Sequence, residues 1–367
     1  QLNAGVDAYN VAVGYAAGNN MSTGEGNTLI GGLAGDAFTD ADFNVAVGKN
    51  ALSTDTKGGF SVALGINALE SQNFTSTTQT YNTAVGALAG GAVTTGLFNT
   101  LVGGKAGDAL TSGNSNVAIG MQALTADTLG DRAVAIGLDA LANQNFTSST
   151  DNYNVAIGHS AGKAVTTAQN VTYIGGQAGD AATTGQGNTG IGYAALSAET
   201  TGQLNTAVGW LALASQNSTG NTQQYNVAVG AQTGQKVTTG VYNTFVGGLA
   251  GFESTSGDRN VAVGLQALDK NQAGNKNIAI GVNALRMYNP GSDTDSYNIG
   301  IGDEAGAAIT TGYQNVLIGG KAGDAMNTGL QNTALGYDAL GALTTGFGNV
   351  ALGREAVSYT HLRAHET

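Results

Sequence analysis

Twenty copies of one five-residue block constrain this chain more than any other feature. The block reads Asn-Val-Ala-Val-Gly or a close variant, and its glycine falls at Gly14, Gly31, Gly48 and Gly65, next at Gly86, and in the same cycle to Gly353. The spacings run 17, 17, 17 and 21, so four units make a superperiod of 72 residues. Count the block's Asn as position one. Glycine then holds position five in all twenty units, Val, Ile or Leu holds position four in all twenty, Asn holds position one in seventeen, and Ala holds position eight in nineteen. No unit this short encloses a core alone, so neighbouring units must cover one another.

Alternation of branched and small side chains over five residues reads as a strand. Positions two and four then share a face, and that face, always branched at position four, is the expected interior. Position five turns the chain, which glycine does without strain. A second extended stretch carries the Ala, and segments such as Thr94-Thr95-Gly96 and Thr310-Thr311-Gly312 close the unit as turns. No segment has a capped apolar helical stripe. The expected fold is all-β: a parallel β-solenoid with one unit per coil, filling residues 1–356 as a single repeat domain. At ~4.8 Å per coil, twenty coils give a rod of roughly 95 Å.

The four unit types differ in how they fill the coil. The first two carry Gly at position nine, as at Gly18, Gly35, Gly90 and Gly107, and a large apolar residue at position twelve, as at Phe38, Val93 and Leu110. The third and fourth carry Leu at position nine, and the third places Asp55, Asp127 or Glu199 at position twelve. One interior space is thus filled from nine or from twelve, as close packing requires. Asn82, Asn99 and Asn116, with Gly86, Gly103 and Gly120, form the expected structural ladder along one corner.

Composition closes several functional classes. Charged residues make up 10% of the chain, with 13 Lys+Arg against 25 Asp+Glu, which leaves no basic face for nucleic acid. With no cysteine there is neither a disulfide framework nor a thiolate metal site. No apolar run is long enough to span a bilayer, so no membrane contact by this segment is expected. Residues 357–367 break the repeat and read as a translated sequencing adapter, and the chain reads as cut at both ends. Setting that tail aside removes His361 and His365 and leaves His159 as the one histidine. A Ser/His/Asp arrangement or a zinc site has little to draw on. Glu25 and Asp42, one coil apart, are a poor acid/base pair. Gly31-Gly32-Leu33-Ala34-Gly35-Asp36 superficially matches calcium-roll repeats, but it recurs only once per superperiod, too sparsely for a cation taking 6–8 oxygens. Neither a catalytic site, a metal nor a cofactor is expected.

The blocks Asn82-Thr83-Ala84-Val85-Gly86, Asn154-Val155-Ala156-Ile157-Gly158 and Asn349-Val350-Ala351-Leu352-Gly353 resemble the head repeats of YadA-like trimeric autotransporter adhesins, and similar repeats of bacteriophage tail fibres. The resemblance covers residues 3–356 and rests on twenty blocks in register. It implies a left-handed parallel β-roll, chains assembled side by side as a homotrimer, and adhesion to a host cell-surface glycan or protein. It also implies a place outside the cell, on a bacterial surface or a virion. The coils here are longer than those of the adhesin heads.

Recognition residues are expected on the loops that lengthen every fourth unit. These read Asn73-Phe74-Thr75, Asn145-Phe146-Thr147, Asn217-Ser218-Thr219 and Tyr288-Asn289-Pro290, and each insertion ends in a tyrosine, at Tyr81, Tyr153, Tyr225 and Tyr297. Amides beside aromatic rings, on loops carried by a rigid scaffold, suit contact with a glycan. The candidates are Asn73, Phe74, Thr75, Asn145, Phe146, Thr147, Asn217, Tyr288 and Asn289, with the loop tyrosines read as structural. A passive spacer is the alternative. An ice-binding solenoid built on the Thr rows and a polysaccharide depolymerase are further ones.

Overall fold

The structure, a computed structural model, describes residues 8–218 and 220–357; most of the adapter-like tail, with His361 and His365, lies outside them. Among the described residues there are strands and turns but no helix. Twenty three-residue strands, one per block, form parallel ladders. They fall in two compact units, Gln1–Gln186 and Gly187–Thr367, with ten strands each. Within the first unit Val45, Ala46 and Val47 pair with Val62, Ala63 and Leu64, one coil on. Within the second, Val227, Ala228 and Val229 pair with Thr244, Phe245 and Val246. The chain is a β-solenoid of 17-residue coils.

The strand faces are the reverse of the sequence expectation. Position three is the interior one: Ala46, Ala63, Ala84 and Ala118 are fully buried, whereas Val45 and Val47 on either side are half-exposed. Alanine at positions three and eight lets opposite walls of the coil approach closely. Branched residues at positions two and four stay on the outer surface, where their β-propensity stiffens the strand without filling the core.

Core volume is supplied from three positions rather than two. The second coil of each superperiod, one coil in four, carries a large residue at position three: Leu29, Leu101, Tyr173, Phe245 and Leu317, all fully buried. These side chains occupy the space that Gly at position nine leaves. A Cβ on Gly35 would stand 2.9 Å from Leu29 and Phe38, and one on Gly90 would stand 2.7 Å from Leu101. Where position three is Ala in the third and fourth coils, Leu52, Leu69, Leu124 and Leu141 close the gap from position nine. Burying one such leucine stabilises the coil by about 1.5–3 kcal/mol.

Glycine at position five has two reasons to be there. Gly120 has φ +133°, and a Cβ on it would lie 2.5 Å from the carbonyl oxygen of Gly137 in the next coil. Any side chain would therefore part the stack at that corner.

The four extra residues of the long coil enter in two steps. Gly58 pairs with Thr78, an offset of 20, while Val62 pairs with Thr83, an offset of 21. Three residues thus build the projecting loop, and the fourth enters between Gln79 and Asn82 as a bulge. The same offsets recur for Gly130 with Thr150 and for Gly274 with Thr294.

Candidate functional site

Each insertion loop is held by a buried polar clasp. In the first, Asp55 Oδ1 accepts from the amides of Gly58 and Phe74, both at 3.0 Å, and Oδ2 accepts from Gln72 Nε2 at 2.7 Å. Gln72 Oε1 in turn accepts from Asn82 Nδ2 at 2.9 Å, which ties the loop to the corner ladder. The second repeats this with Asp127, Gln144, Phe146 and Asn154. Burial pushes the Asp127 carboxyl above the usual range, against the opposing pull of its hydrogen bonds from Gln144, Phe146 and Gly130. In the third, Glu199 accepts from the amide of Gly202 at 2.7 Å and from Gln216 at 3.3 Å. The fourth has no carboxylate. Asn271 closes its own turn on Gly274, and the buried Tyr288 bonds Ser296.

Three loop candidates are therefore not surface residues. Phe74, Phe146 and Tyr288 are buried at 8%, 5% and 0% exposure, because each fills the hollow under its own loop. Of the others, Thr75, Asn145, Thr147 and Asn217 are exposed, and Asn73 and Asn289 are half-buried. The Oδ1 atoms of Asn73, Asn145 and Asn217 accept from the hydroxyls of Thr56, Thr128 and Thr200 one coil back. The clasp carboxylates were visible in the sequence only as polar residues at position twelve. Their recurrence every 72 residues, always one coil before an insertion, was the available signal.

The ladder asparagines are fully buried, and they bond backbone rather than one another in the segment named for them. Asn82 Oδ1 accepts from the Asn99 amide at 2.9 Å, and Asn99 Oδ1 accepts from the Asn116 amide at 3.0 Å. Their Nδ2 groups donate to Gly96, Gly113 and Gly130 carbonyls. Gly86, Gly103 and Gly120 stack at the far end of the same strands, each within 2.5 Å of the next glycine's oxygen through a virtual Cβ.

The second surface feature is the outer sheet face. Its branched residues at positions two and four are flanked by two rows. A corner row precedes each block, and Phe43, Phe60, Tyr81 and Phe98 in it form a ladder with ring centroids 5.1, 5.3 and 6.0 Å apart. In the other unit Tyr225 and Tyr242 stack at 6.0 Å, with the Arg259 guanidinium over Tyr242. A shoulder row at position six carries Met121, Tyr193, Trp210 and Leu265, each about half exposed.

His159 is exposed on the shoulder row. Asp42 Oδ1 accepts from the backbone amide of Glu25 at 2.8 Å. Among the described residues no three His, Cys, Asp or Glu side chains converge. The Thr row at position thirteen is engaged as well, since Thr94, Thr111 and Thr238 hydroxyls donate to carbonyls of the next coil. No protein-family model matches the chain, and no curated protein is detectably similar to it.

Proposed function

We propose that this chain is a segment of an extracellular, non-enzymatic adhesion fibre of the adhesin-head or phage tail-fibre kind, assembled as a homotrimer and presenting its insertion loops to a host cell-surface glycan or protein. The uncovered sheet face carries the reading. From corner row to shoulder row it is about 20 Å wide, and ten coils make it about 48 Å long, so roughly 1,000 Å² of largely apolar surface stands open in each unit. That exceeds the ~300–600 Å² patch of an ordinary monomer and matches the ~800 Å² a stable interface takes from each partner. A surface repeating once per coil is matched in pitch by another copy of the same chain. The insertions lie between position thirteen and the next block, off this face, so association leaves their tips free.

The chain's single tryptophan reports on the face directly, because Trp210 is 49% exposed in one copy. Light scattering is expected to give three chains per particle, with Trp210 emission shifting to the red on dilution. A monomer at micromolar concentration would overturn the assembly. Recognition is tested separately with Thr75→Ala, Asn145→Ala and Thr147→Ala combined in the trimer. Loss of binding to cells or to a glycan array is the expected result. Unchanged binding makes the segment a spacer.

A further inference from the structure

From the fifth coil onward an aromatic corner and a bulky apolar shoulder never share a coil, although only Ser115 and Gly187 among the corners opposite bulky shoulders are small. Tyr81, Phe98 and Tyr242 at the corner go with Ala87, Gly104 and Gly248 at the shoulder. Conversely Met121, Tyr193 and Leu265 at the shoulder go with Ser115, Gly187 and Arg259 at the corner. From the fifth coil onward six corners are aromatic, and their shoulders are Ala, Gly, His or Asp; seven shoulders are bulky and apolar or aromatic, and none of their corners is aromatic. Within one chain the two rows are six residues apart, beyond opposite ends of the three-residue strand, a separation of up to about 20 Å. Ring–ring contacts join Phe43 to Phe60, Phe60 to Tyr81, Tyr81 to Phe98 and Tyr225 to Tyr242, along the corner row from coil to coil. These contacts link corner to corner and leave the match between corner and shoulder to be set by something other than stacking along the row.

We infer that the corner row of one copy seats against the shoulder row of the next, coil for coil, in a parallel assembly without axial stagger. The two rows border opposite edges of one face. A rotation axis parallel to the coil stack brings the corner edge of each copy to the shoulder edge of its neighbour at the same level, which closes a ring. A slip of one coil sets Phe98 against Met121, and a slip of two sets Tyr225 against Leu265, so aromatic meets bulky side chain and the edges part. An antiparallel arrangement loses the match along most of the face. The first four coils stand apart, with Tyr9 paired to Tyr15 and Phe60 to Ile66. The register signal lies in the coils that follow them.

This inference rests on the proposed assembly, and cysteine pairs separate the two. The chain has no cysteine of its own. Ser115 and Met121 are exposed corner and shoulder residues of one coil, and Leu138 is the shoulder one coil on. A disulfide needs Cα atoms within ~7 Å. Under mild oxidation Ser115→Cys with Met121→Cys is expected to give chain-to-chain cross-links, at least tenfold above Ser115→Cys with Leu138→Cys. Light scattering on the reduced variants is run in parallel. Trimers in which both pairs cross-link equally, or in which neither does, overturn the level pairing while leaving the assembly intact. Monomers overturn both.

Discussion

The second and fourth insertion clasps sit at equivalent places two superperiods apart and hold their loops by different chemistry. Asp127 accepts three hydrogen bonds, two of them from the loop itself through the Phe146 amide and Gln144. Asn271 bonds only its own turn, and the loop beyond it is filled by the ring of Tyr288, whose hydroxyl meets Ser296. Where position twelve of the third coil is acidic, position twelve of the fourth is Gln, as in Asp55 with Gln72, Asp127 with Gln144 and Glu199 with Gln216; where it is Asn271 the partner is Tyr288. The two positions change together because each pair closes one hollow. A carboxylate requires a donor opposite it, whereas a phenol ring requires a neighbour that leaves it room.

The largest expected effect is loss of the acidic clasp. Asp127→Leu leaves the Phe146 and Gly130 amides and the Gln144 amide group without an acceptor in a buried site. At about 1–3 kcal/mol for each stranded donor, less than additively, the loop should lose about 3–5 kcal/mol of local stability. Hydrogen exchange at the Gly130 and Phe146 amides measures it. Asn271→Leu strands only the Gly274 amide, since the Gly274 carbonyl keeps its bond from Asn260 Nδ2, and should cost about 1–2 kcal/mol. Equal losses at the two sites would remove the distinction between them. Next in size is Tyr288→Phe, which keeps the ring and forfeits the bond to Ser296, at about 1 kcal/mol read from the same exchange experiment.

Acid should divide the clasps more subtly. The folded-state pKa of Asp127 is raised by burial, so the folded loop binds its proton more readily than the unfolded chain does. Stability from this group is then greatest below the unfolded value of 3.8 and declines as pH rises through the folded pKa. No other titratable side chain bonds Asp127; Asp131 nearby accepts from Asn114 and Ser149. Asn271 does not titrate. Exchange protection at Phe146 relative to the Asn289 amide should therefore increase as pH is lowered toward 4, once both are corrected for intrinsic exchange. A constant ratio would show that Asp127 keeps an ordinary pKa.

Repeat length, strand position and parallel stacking were legible in the sequence because each depends on the local pattern of twenty near-identical blocks. The facing of the strand was not. Alternation alone says that positions two and four oppose position three, and it does not say which set is inside. Branched aliphatics argue for the core in an ordinary sheet, but a coil this narrow admits Ala46 and Ala63 and puts Val45 and Val47 outside. For the same reason the pattern does not mark Leu29, Leu101 and Phe245 at position three as the filler beside Gly35, Gly107 and Gly251. Phe74 and Phe146 resembled recognition aromatics because sequence shows a loop's polarity and not the hollow beneath it. The carboxylates that hold those loops are a coil away in sequence, and only the 17-residue register brings them together.

The smallest expected effect on stability is also the one that bears most on function. Thr147 is exposed at the tip of the acidic clasp's loop, and Asn145 gives that loop one bond, from Thr128 at 3.0 Å. Thr147→Ala should change stability by no more than ~0.5 kcal/mol, and Asn145→Ala by about 1 kcal/mol at most. The fourth loop has Pro290 and Gly291 in place of Phe146 and Thr147, so its tip offers no hydroxyl at that point. If the tips make the adhesive contact through amide and hydroxyl groups, Thr147→Ala lowers binding while Gly291→Thr raises it. Gly291 has φ +74°, so the threonine carries a strain of about 1 kcal/mol or more, but a Cβ there meets nothing within 4 Å. Binding that follows the hydroxyl in both directions, at nearly constant stability for Thr147→Ala, assigns recognition to the tip chemistry rather than to the clasp that supports it.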